Sequence, residues 1–327
     1  MIILAKISSG EEKLIAQLEQ TIREYINGAR RQSKIMAEPA NWNKLCSALD
    51  LVGDTELAIH AYPTLCSTEG EGSAYLIVYG LLQTLLLQQD AAKHIAEALG
   101  LKNIKLPKQL DEVRIVRNSA AGHPTSQKEN GSYKSCFISR FSLSPVSFQL
   151  ITSFSDSTEH KVLTVNLPSL LDIHKQYVSE LLQDVVRELE KQEMEHRKMH
   201  KDNKLADIFP QTLSYHIGKI AESTQTPDSF LLGKSNLDIL AKVLSTFQSE
   251  LEKRSEWGVS GSISFHYEQL EYPMTQLLSY FDGTSDLNDK DAYIFISFVE
   301  KIFNVLQVIA AEIDSDYNEI ADNFDQK

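Results

Sequence analysis

The segment VRNSAAGHPT, residues 116–125, holds the side chains whose types and spacing best suit chemistry. Arg117 is followed directly by Asn118, and five residues separate Arg117 from His123. An arginine holds a phosphate with a fixed fork of N–H donors, and a histidine titrates near neutral pH, so it can accept or donate a proton. These residue types suit attack by an RNA 2′-hydroxyl on the neighbouring phosphate, a reaction for which the pair needs no metal.

Basic residues approach this segment, although the chain as a whole is acidic. The net charge of −13 argues by itself against nucleic acid, because binding to phosphate depends on Lys and Arg. Residues 1–124, however, contain 13 Lys/Arg and 14 Asp/Glu, whereas residues 125–327 contain 19 and 31. Charges are screened over roughly 8 Å at physiological salt, so a locally basic surface is compatible with the acidic total. The candidate substrate-binding residues are Lys102, Lys105, Lys108 and Arg114.

The spacing of apolar residues predicts a mainly α chain in which this motif ends a late helix of an N-terminal bundle. Apolar residues recur at helical spacing over 10–27, around 42–63, over 73–99 and from Pro107 to Gly122. In the last of these helices the inward side chains are predicted to be Leu110, Val113, Val116 and Ala120. Tyr75 and Tyr79, one turn apart, are predicted to be core residues.

The pattern changes after the motif. Three segments rich in aromatic and β-branched residues predict a three-stranded antiparallel β-meander, and a long helix with a charged end follows from Pro168. Further helices are predicted near 210–223, 235–256, 263–282 and 290–318. We therefore expect a helical bundle over 1–130, the meander over 131–168, a long helix and charged linker over 169–206, and a C-terminal helical domain over 207–327.

The motif resembles that of the HEPN superfamily, whose ribonucleases carry an arginine, a following polar residue and a histidine four to six positions after the arginine. Here Arg117, Asn118 and His123 occupy those positions. The resemblance implies a bundle of four to five helices and an RNA endonuclease that uses no metal or cofactor and leaves a 2′,3′-cyclic phosphate and a 5′-hydroxyl. His123 would transfer protons, Arg117 would stabilise the phosphate, and Asn118 would orient one of them or the substrate. The implied setting is toxin–antitoxin or anti-phage defence, with tRNA or mRNA as target.

The resemblance also implies a homodimer. Residues six apart on a regular helix lie about 240° around its axis, so Arg117 and His123 do not meet unless Gly122 bends the chain. HEPN nucleases commonly place two motifs across a two-fold axis in one composite site, which implies an isologous interface here. In one branch of the family an antitoxin modifies a tyrosine two positions after the histidine. That position is Thr125 here, so an antitoxin or defence partner would act differently.

Two other functions stay open. One is a non-catalytic helical protein that dimerises or binds a partner, which would be favoured if Arg117 and His123 pointed outward and far apart. The other is a nucleotide-binding sensor, in which the same two residues hold a phosphate without cleaving it. The acidic second half suggests the further hypothesis that it restrains the first.

Other residues suggest no second site. His196 and His200 have the spacing of two metal ligands on a helix, but no third ligand is evident, so we expect a solvated charged helix and no metal. The cysteines are far apart with no CxxC pair, which favours a reducing, cytoplasmic setting: Cys46, Cys66 and Cys136. The most apolar stretch is too short to predict a membrane span, and no secretion signal is expected.

Overall fold

The computed structural model describes residues 14–129, 132–259 and 261–319. In these ranges the chain forms ten α-helices and one four-stranded antiparallel sheet, which confirms the mainly α fold with a small β-meander. The start of the helix predicted over 10–27 lies outside the described residues. The contacts within the chain divide it into two compact units, residues 1–189 and 190–327.

The first unit begins with five helices. They are α1 (Ile15–Ile26), α2 (Ala29–Met36), α3 (Pro39–Leu65), α4 (Glu71–Ala98) and α5 (Leu110–Arg117). The apolar spacing does not predict α2, whose eight residues are mostly polar. The four inward positions predicted on α5 and just beyond it are all buried, because they face two core clusters to which α3 and α4 contribute. The prediction that Tyr75 and Tyr79 are core residues is correct only in part, since Tyr75 is partly buried and packs against one of these clusters, whereas Tyr79 is 39% exposed.

The sheet follows as a simple meander of neighbouring strands. Its strands are β1 (Gln127–Glu129), β2 (Ser132–Ile138), β3 (Ser147–Phe154) and β4 (His160–Asn166). The sequence predicts three of them; the additional strand β1 has three residues, too few to show an alternation of apolar and polar side chains. One face of the sheet packs on the helices through Cys136, Ile138, Phe148, Leu150 and Val165.

Helix α6 (Leu167–His200) connects the two units, because its residues up to Leu189 belong to the first and the rest to the second. The charged stretch at its end is thus helical. The second unit continues with α7 (Leu213–Ser223), α8 (Phe230–Lys253), α9 (Gly261–Phe281) and α10 (Asp289–Glu319). These four helices correspond to the four predicted from apolar spacing, and they share one hydrophobic core.

In the part of the chain that the structure describes, α10 is the one helix long and apolar enough to cross a membrane. Within its segment Asp289–Tyr317, an 18-residue window has a mean hydropathy of 1.7, and 33% of that window is buried. Core helices pass the same test of length and composition. We interpret α10 as a core helix because a line of its side chains is buried within the second unit: Ala292, Ile296, Val299, Phe303, Leu306 and Ala310.

Candidate active site

The candidate site lies where α5 ends in a widened turn. Residues Asn118–Gly122 form a π-helix, and the backbone N–H of His123 donates to the carbonyl oxygen of Asn118, five residues earlier, at 2.8 Å. Such turns are rare and occur frequently at functional sites. His123 leaves the helical conformation, with φ −137° and ψ 54°. The angle expected for a regular helix therefore does not apply between Arg117 and His123.

The guanidinium of Arg117 is held in one orientation by two amide side chains. Its Nε and Nη2 donate to Oε1 of Gln83 on α4 at 3.1 and 2.7 Å, and its Nη1 donates to Oδ1 of Asn118 at 2.9 Å. The group also lies against Gly122, where an added Cβ would come 2.5 Å from Nη1. Glycine is therefore the residue that permits this position of the guanidinium.

Both acceptors of Arg117 are neutral, which determines what the group can bind. A guanidinium has five N–H groups, and the bonds to Gln83 and Asn118 engage three of them. Within the described ranges Arg117 forms no ion pair with a carboxylate. It thus keeps its full positive charge together with two N–H groups that have no acceptor from the described residues, the requirement for holding a phosphate.

Asn118 connects Arg117 to the backbone around the motif. Its side chain accepts from Arg117, while its carbonyl oxygen accepts from the His123 N–H and from Nε2 of Gln127 at 2.9 Å. The chain after His123 is fastened to β2 by two further bonds. The N–H of Cys136 donates to the Pro124 oxygen at 2.6 Å, and Oγ of Ser135 donates to the Thr125 oxygen at 2.8 Å.

His123 itself is exposed. In the described part of the chain its imidazole forms no hydrogen bond or ion pair, so none of the described residues fixes its ring or tautomer. The structure thus brings Arg117 and Asn118 into contact, and it does not bring the imidazole into hydrogen-bond contact with either. A general base is normally oriented by a further group, which the described residues of one chain do not supply.

The predicted basic residues separate into two kinds. Lys102, Lys105 and Lys108 are exposed, and among the described residues they have no ion-pair partner. Arg114, by contrast, forms an ion pair with Asp90 on α4. Its charge is therefore balanced within the fold, and the three lysines are the better candidates for attracting a phosphate backbone.

Sequence reasoning missed Gln83, which fixes the guanidinium from 34 residues away. The available signal was the presence of glutamines in an otherwise apolar helix. Gln83 is partly buried; Gln88 and Gln89, on the same helix, are fully buried, and both contact His174 of α6. Polar side chains placed in the core in this way need partners, and here those partners come from other helices.

The stretch that holds His196 and His200 is a charged helix with many exposed residues, as predicted, but the two histidines themselves are not fully solvated. Both rings are partly buried, their centroids are 4.9 Å apart, and Tyr317 of α10 packs against them at 5.7 and 6.4 Å. The residues that the structure describes include no group of three or more His, Cys, Asp or Glu side chains arranged to hold a metal ion. The spacing of the two histidines is accounted for by ring packing.

Comparisons with protein-family models, with curated proteins and with solved structures give no match to this chain. The functional conclusion rests accordingly on the geometry of the motif and on the resemblance of its residues.

Proposed function

We propose that the chain is an RNA endonuclease of HEPN type, acting in the cytoplasm in toxin–antitoxin or anti-phage defence. The observation that carries the proposal is the state of Arg117. Its guanidinium is oriented by the neutral oxygens of Gln83 and Asn118 and forms no ion pair with a carboxylate of the described residues. It also contacts Gly122, the residue that directly precedes His123. An arginine fixed in this way without neutralisation suits an anionic ligand.

In the proposed reaction the scissile phosphate binds the two remaining N–H groups of Arg117. His123 accepts the proton of the 2′-hydroxyl, whose oxygen attacks the phosphorus, and the bond to the 5′-oxygen breaks as that oxygen takes up a proton. The products are a 2′,3′-cyclic phosphate and a 5′-hydroxyl end. Proton transfer of this kind contributes roughly 10²- to 10⁴-fold to the rate, and charge stabilisation by Arg117 adds to it. Exposed Lys102, Lys105 and Lys108 would attract the RNA backbone.

A homodimer belongs to the proposal. The exposed imidazole of His123 lacks an orienting group among the described residues, so a second copy of the motif across a two-fold axis would complete the site. Each composite site would then combine residues of both chains. A partner protein that restrains the nuclease would act by a route other than tyrosine modification, because Thr125 stands at that position.

A second candidate is favoured by the same exposed histidine. If no group orients His123 even in an oligomer, Arg117 and Asn118 would still bind a phosphate, and the chain would act as a nucleotide- or RNA-binding sensor without cleavage. A partner-binding helical protein with no role for the motif is the remaining alternative. The three functions predict different effects of Arg117→Ala and His123→Ala on RNA cleavage and RNA affinity.

The test is cleavage of total cellular RNA by the purified full-length protein with EDTA present. We expect the wild type to produce 2′,3′-cyclic phosphate ends and both Arg117→Ala and His123→Ala to lower the rate at least about 100-fold. His60→Ala and Arg187→Ala change exposed residues of the same unit and serve as matched controls with unchanged rates.

Intact RNA with every protein would overturn the nuclease. If no protein cleaves RNA but Arg117→Ala binds RNA more weakly than the wild type, the sensor is supported. If Arg117→Ala binds RNA as tightly as the wild type, partner binding is the remaining function. Folding is monitored by circular dichroism, and the oligomeric state of each variant by sedimentation.

A further inference from the structure

The outer face of the β-sheet is built differently from the rest of the surface. Successive side chains of a strand point to opposite faces, and the five buried sheet residues define the face that packs on the helices. The strand register places on the opposite face Lys128, Tyr133, Phe137, Ile151, His160 and Val162. The remaining paired positions of that face are Ser, Thr, Gln or Asn. We call this set of residues the outer sheet face.

Aromatic and aliphatic side chains on this face are left open to solvent. Tyr133 is 57% exposed and Phe137 is 52% exposed, although either residue would gain from burial. Phe137, Ile151 and Val162 form one row across three strands, and Val162 is 58% exposed. Exposed apolar patches of this kind mark binding surfaces.

The charge of the face points to an anionic ligand. Among its described residues none is Asp or Glu, and its ionisable side chains are Lys128 and His160, together with the Tyr133 phenol. This absence stands out in a chain whose net charge is −13. Lys128 is the register partner of Tyr133, so a cation lies beside an exposed ring.

The spacing of the two rings suits a ligand with several flat groups. Tyr133 and Phe137 are four residues apart on β2, which corresponds to about 13 Å along the strand. They are too far apart to stack on each other and are free to stack on separate groups. Single-stranded nucleic acids offer such groups at intervals along an anionic backbone, and proteins bind their bases by stacking on exposed aromatic side chains.

The face is joined to the candidate active site through β2. Ser135, which lies between the two aromatic residues, donates to the carbonyl oxygen of Thr125, and Cys136 donates to that of Pro124. Both acceptors lie within two residues of His123. A strand bound along β2 would therefore run beside the motif.

We propose that the outer sheet face binds single-stranded RNA, with Tyr133 and Phe137 stacking on bases and Lys128 near the backbone. This inference rests on the proposed function, since the RNA held there would be the strand that Arg117 and His123 act on. It adds a substrate preference: unpaired RNA, with little dependence on base sequence because stacking does not distinguish the bases strongly. Duplex RNA, whose bases are already stacked, would bind less well.

Binding is measured by fluorescence anisotropy with a short labelled oligouridylate, using full-length His123→Ala as the parent so that the RNA stays intact. Tyr133→Ala and Phe137→Ala are each expected to weaken binding roughly 5- to 150-fold. Phe137→Leu keeps apolar area but no aromatic ring and should also weaken binding, whereas Phe137→Trp should preserve it. Tyr293→Ala, which removes a 59% exposed aromatic residue of the second unit, is the matched control with unchanged affinity.

Phe137→Leu binding as tightly as the parent would overturn the proposal, as would unchanged affinity in both alanine variants. So would conversion of a dimer to a monomer by Phe137→Ala with RNA affinity unaffected, because the face would then join two copies of the chain.

The two proposals fail in different ways. If RNA binding depends on Phe137 but the protein never cleaves RNA, the outer sheet face is supported as the RNA-binding surface and the nuclease proposal is rejected. If cleavage depends on Arg117 but the Phe137→Ala variant binds and cleaves RNA normally, the nuclease proposal is supported and RNA binding by the outer sheet face is rejected.

Discussion

At the scale of single residues, position 122 must be glycine for the Arg117 guanidinium to keep its observed position. An alanine there would put Cβ 2.5 Å from Nη1 of Arg117, so the guanidinium would have to move away from its acceptors. The predicted role of Asn118, to orient a partner or the substrate, is compatible with its hydrogen bond to Arg117. The motif is therefore better described as four residues together with Gln83 than as an Arg–His pair.

Gly122→Ala is expected to lower RNA cleavage at least about 10-fold by displacing the guanidinium, while changing the free energy of unfolding by no more than about 1 kcal/mol. Cleavage assays and urea unfolding measure the two effects. Gly53→Ala is the matched control, because this glycine lies in α3 with nothing within 4 Å of an added Cβ. Wild-type cleavage by Gly122→Ala would show that the observed orientation of Arg117 is not needed.

His174 illustrates a second constraint at this scale, because it is fully buried in the core of the first unit. Its Nε2 donates to Oε1 of Gln88 at 2.7 Å, its Nδ1 accepts from Nε2 of Gln89 at 3.3 Å, and Gln88 in turn donates to Glu56 at 2.8 Å. Burial lowers the pKa of His174 to about 3 from its ordinary 6.5, and the nearby charge of Lys175 adds to the effect. The imidazole is thus held neutral.

Stability should consequently fall on acidification below about pH 6.5. The unfolded chain takes up a proton at His174 there, whereas the folded chain does not until about pH 3, so the loss reaches about 1.4 kcal/mol per pH unit between these values. Urea unfolding at pH 7 and pH 5.5 should show a smaller loss for His174→Gln than for the wild type. His60→Gln, at an exposed position, is the control. Equal losses in all three proteins would contradict the assignment.

At the scale of elements, the second unit depends on one buried ion pair that joins three segments. Arg254 follows α8 and is fully buried; its Nη1 lies 3.4 Å from Oδ1 of Asp314 on α10, and its Nη2 donates to the carbonyl oxygen of Asn203. The same carboxylate accepts the backbone N–H groups of Leu205 and Ala206, both at 2.9 Å. The carboxylate thereby connects α10 both to the turn after α6 and to the end of α8.

Asp314→Ala should destabilise this unit by about 3–5 kcal/mol, because it leaves the Arg254 charge buried without its partner. Chemical unfolding followed by circular dichroism measures the change. Asp282→Ala breaks an exposed pair with Lys234 in the same unit, at 2.6 Å, and should cost at most about 1 kcal/mol. Comparable effects of the two substitutions would be inconsistent with the structural role assigned to Asp314.

At the scale of the whole molecule, the chain has separate hydrophobic cores in its two units. The hydrophobic core residues of the second unit run from Leu205 to Ala310, entirely inside residues 190–327. The boundary falls within α6, so a cut at residue 206, where the predicted C-terminal domain begins, would remove Leu205 from the core it belongs to. The hypothesis that the acidic second half restrains the first is therefore better tested at residue 189.

The fragment 190–327 is expected to fold alone, since its core is complete, and to show helical circular dichroism with one cooperative thermal transition. The fragment 1–189 keeps the motif, the sheet and their cores, so it should cleave RNA faster than the full chain if the second unit restrains it. Equal rates would remove the restraint, and a non-cooperative melt of 190–327 would contradict the division into two folding units.

The sequence by itself determined the elements that depend on local periodicity. Helical spacing located most of α1 and the helices from α3 onward, and it identified the buried side of α5 because one face of each helix must be apolar to reach a core. The strands β2, β3 and β4 were visible through their aromatic and β-branched residues, which favour a sheet. Elements with little apolar content or few residues, α2 and β1, carried no such signal.

Tertiary structure alone decided the features that join distant segments. Only the fold brings Gln83 to Arg117, places Glu56, Gln88 and His174 in one network, and leaves Tyr133 and Phe137 exposed on a sheet whose other face is covered. The π-helix after Arg117 likewise belongs to this class. These contacts depend on how helices and strands pack, and packing partners far apart in the chain leave no periodic trace in either segment.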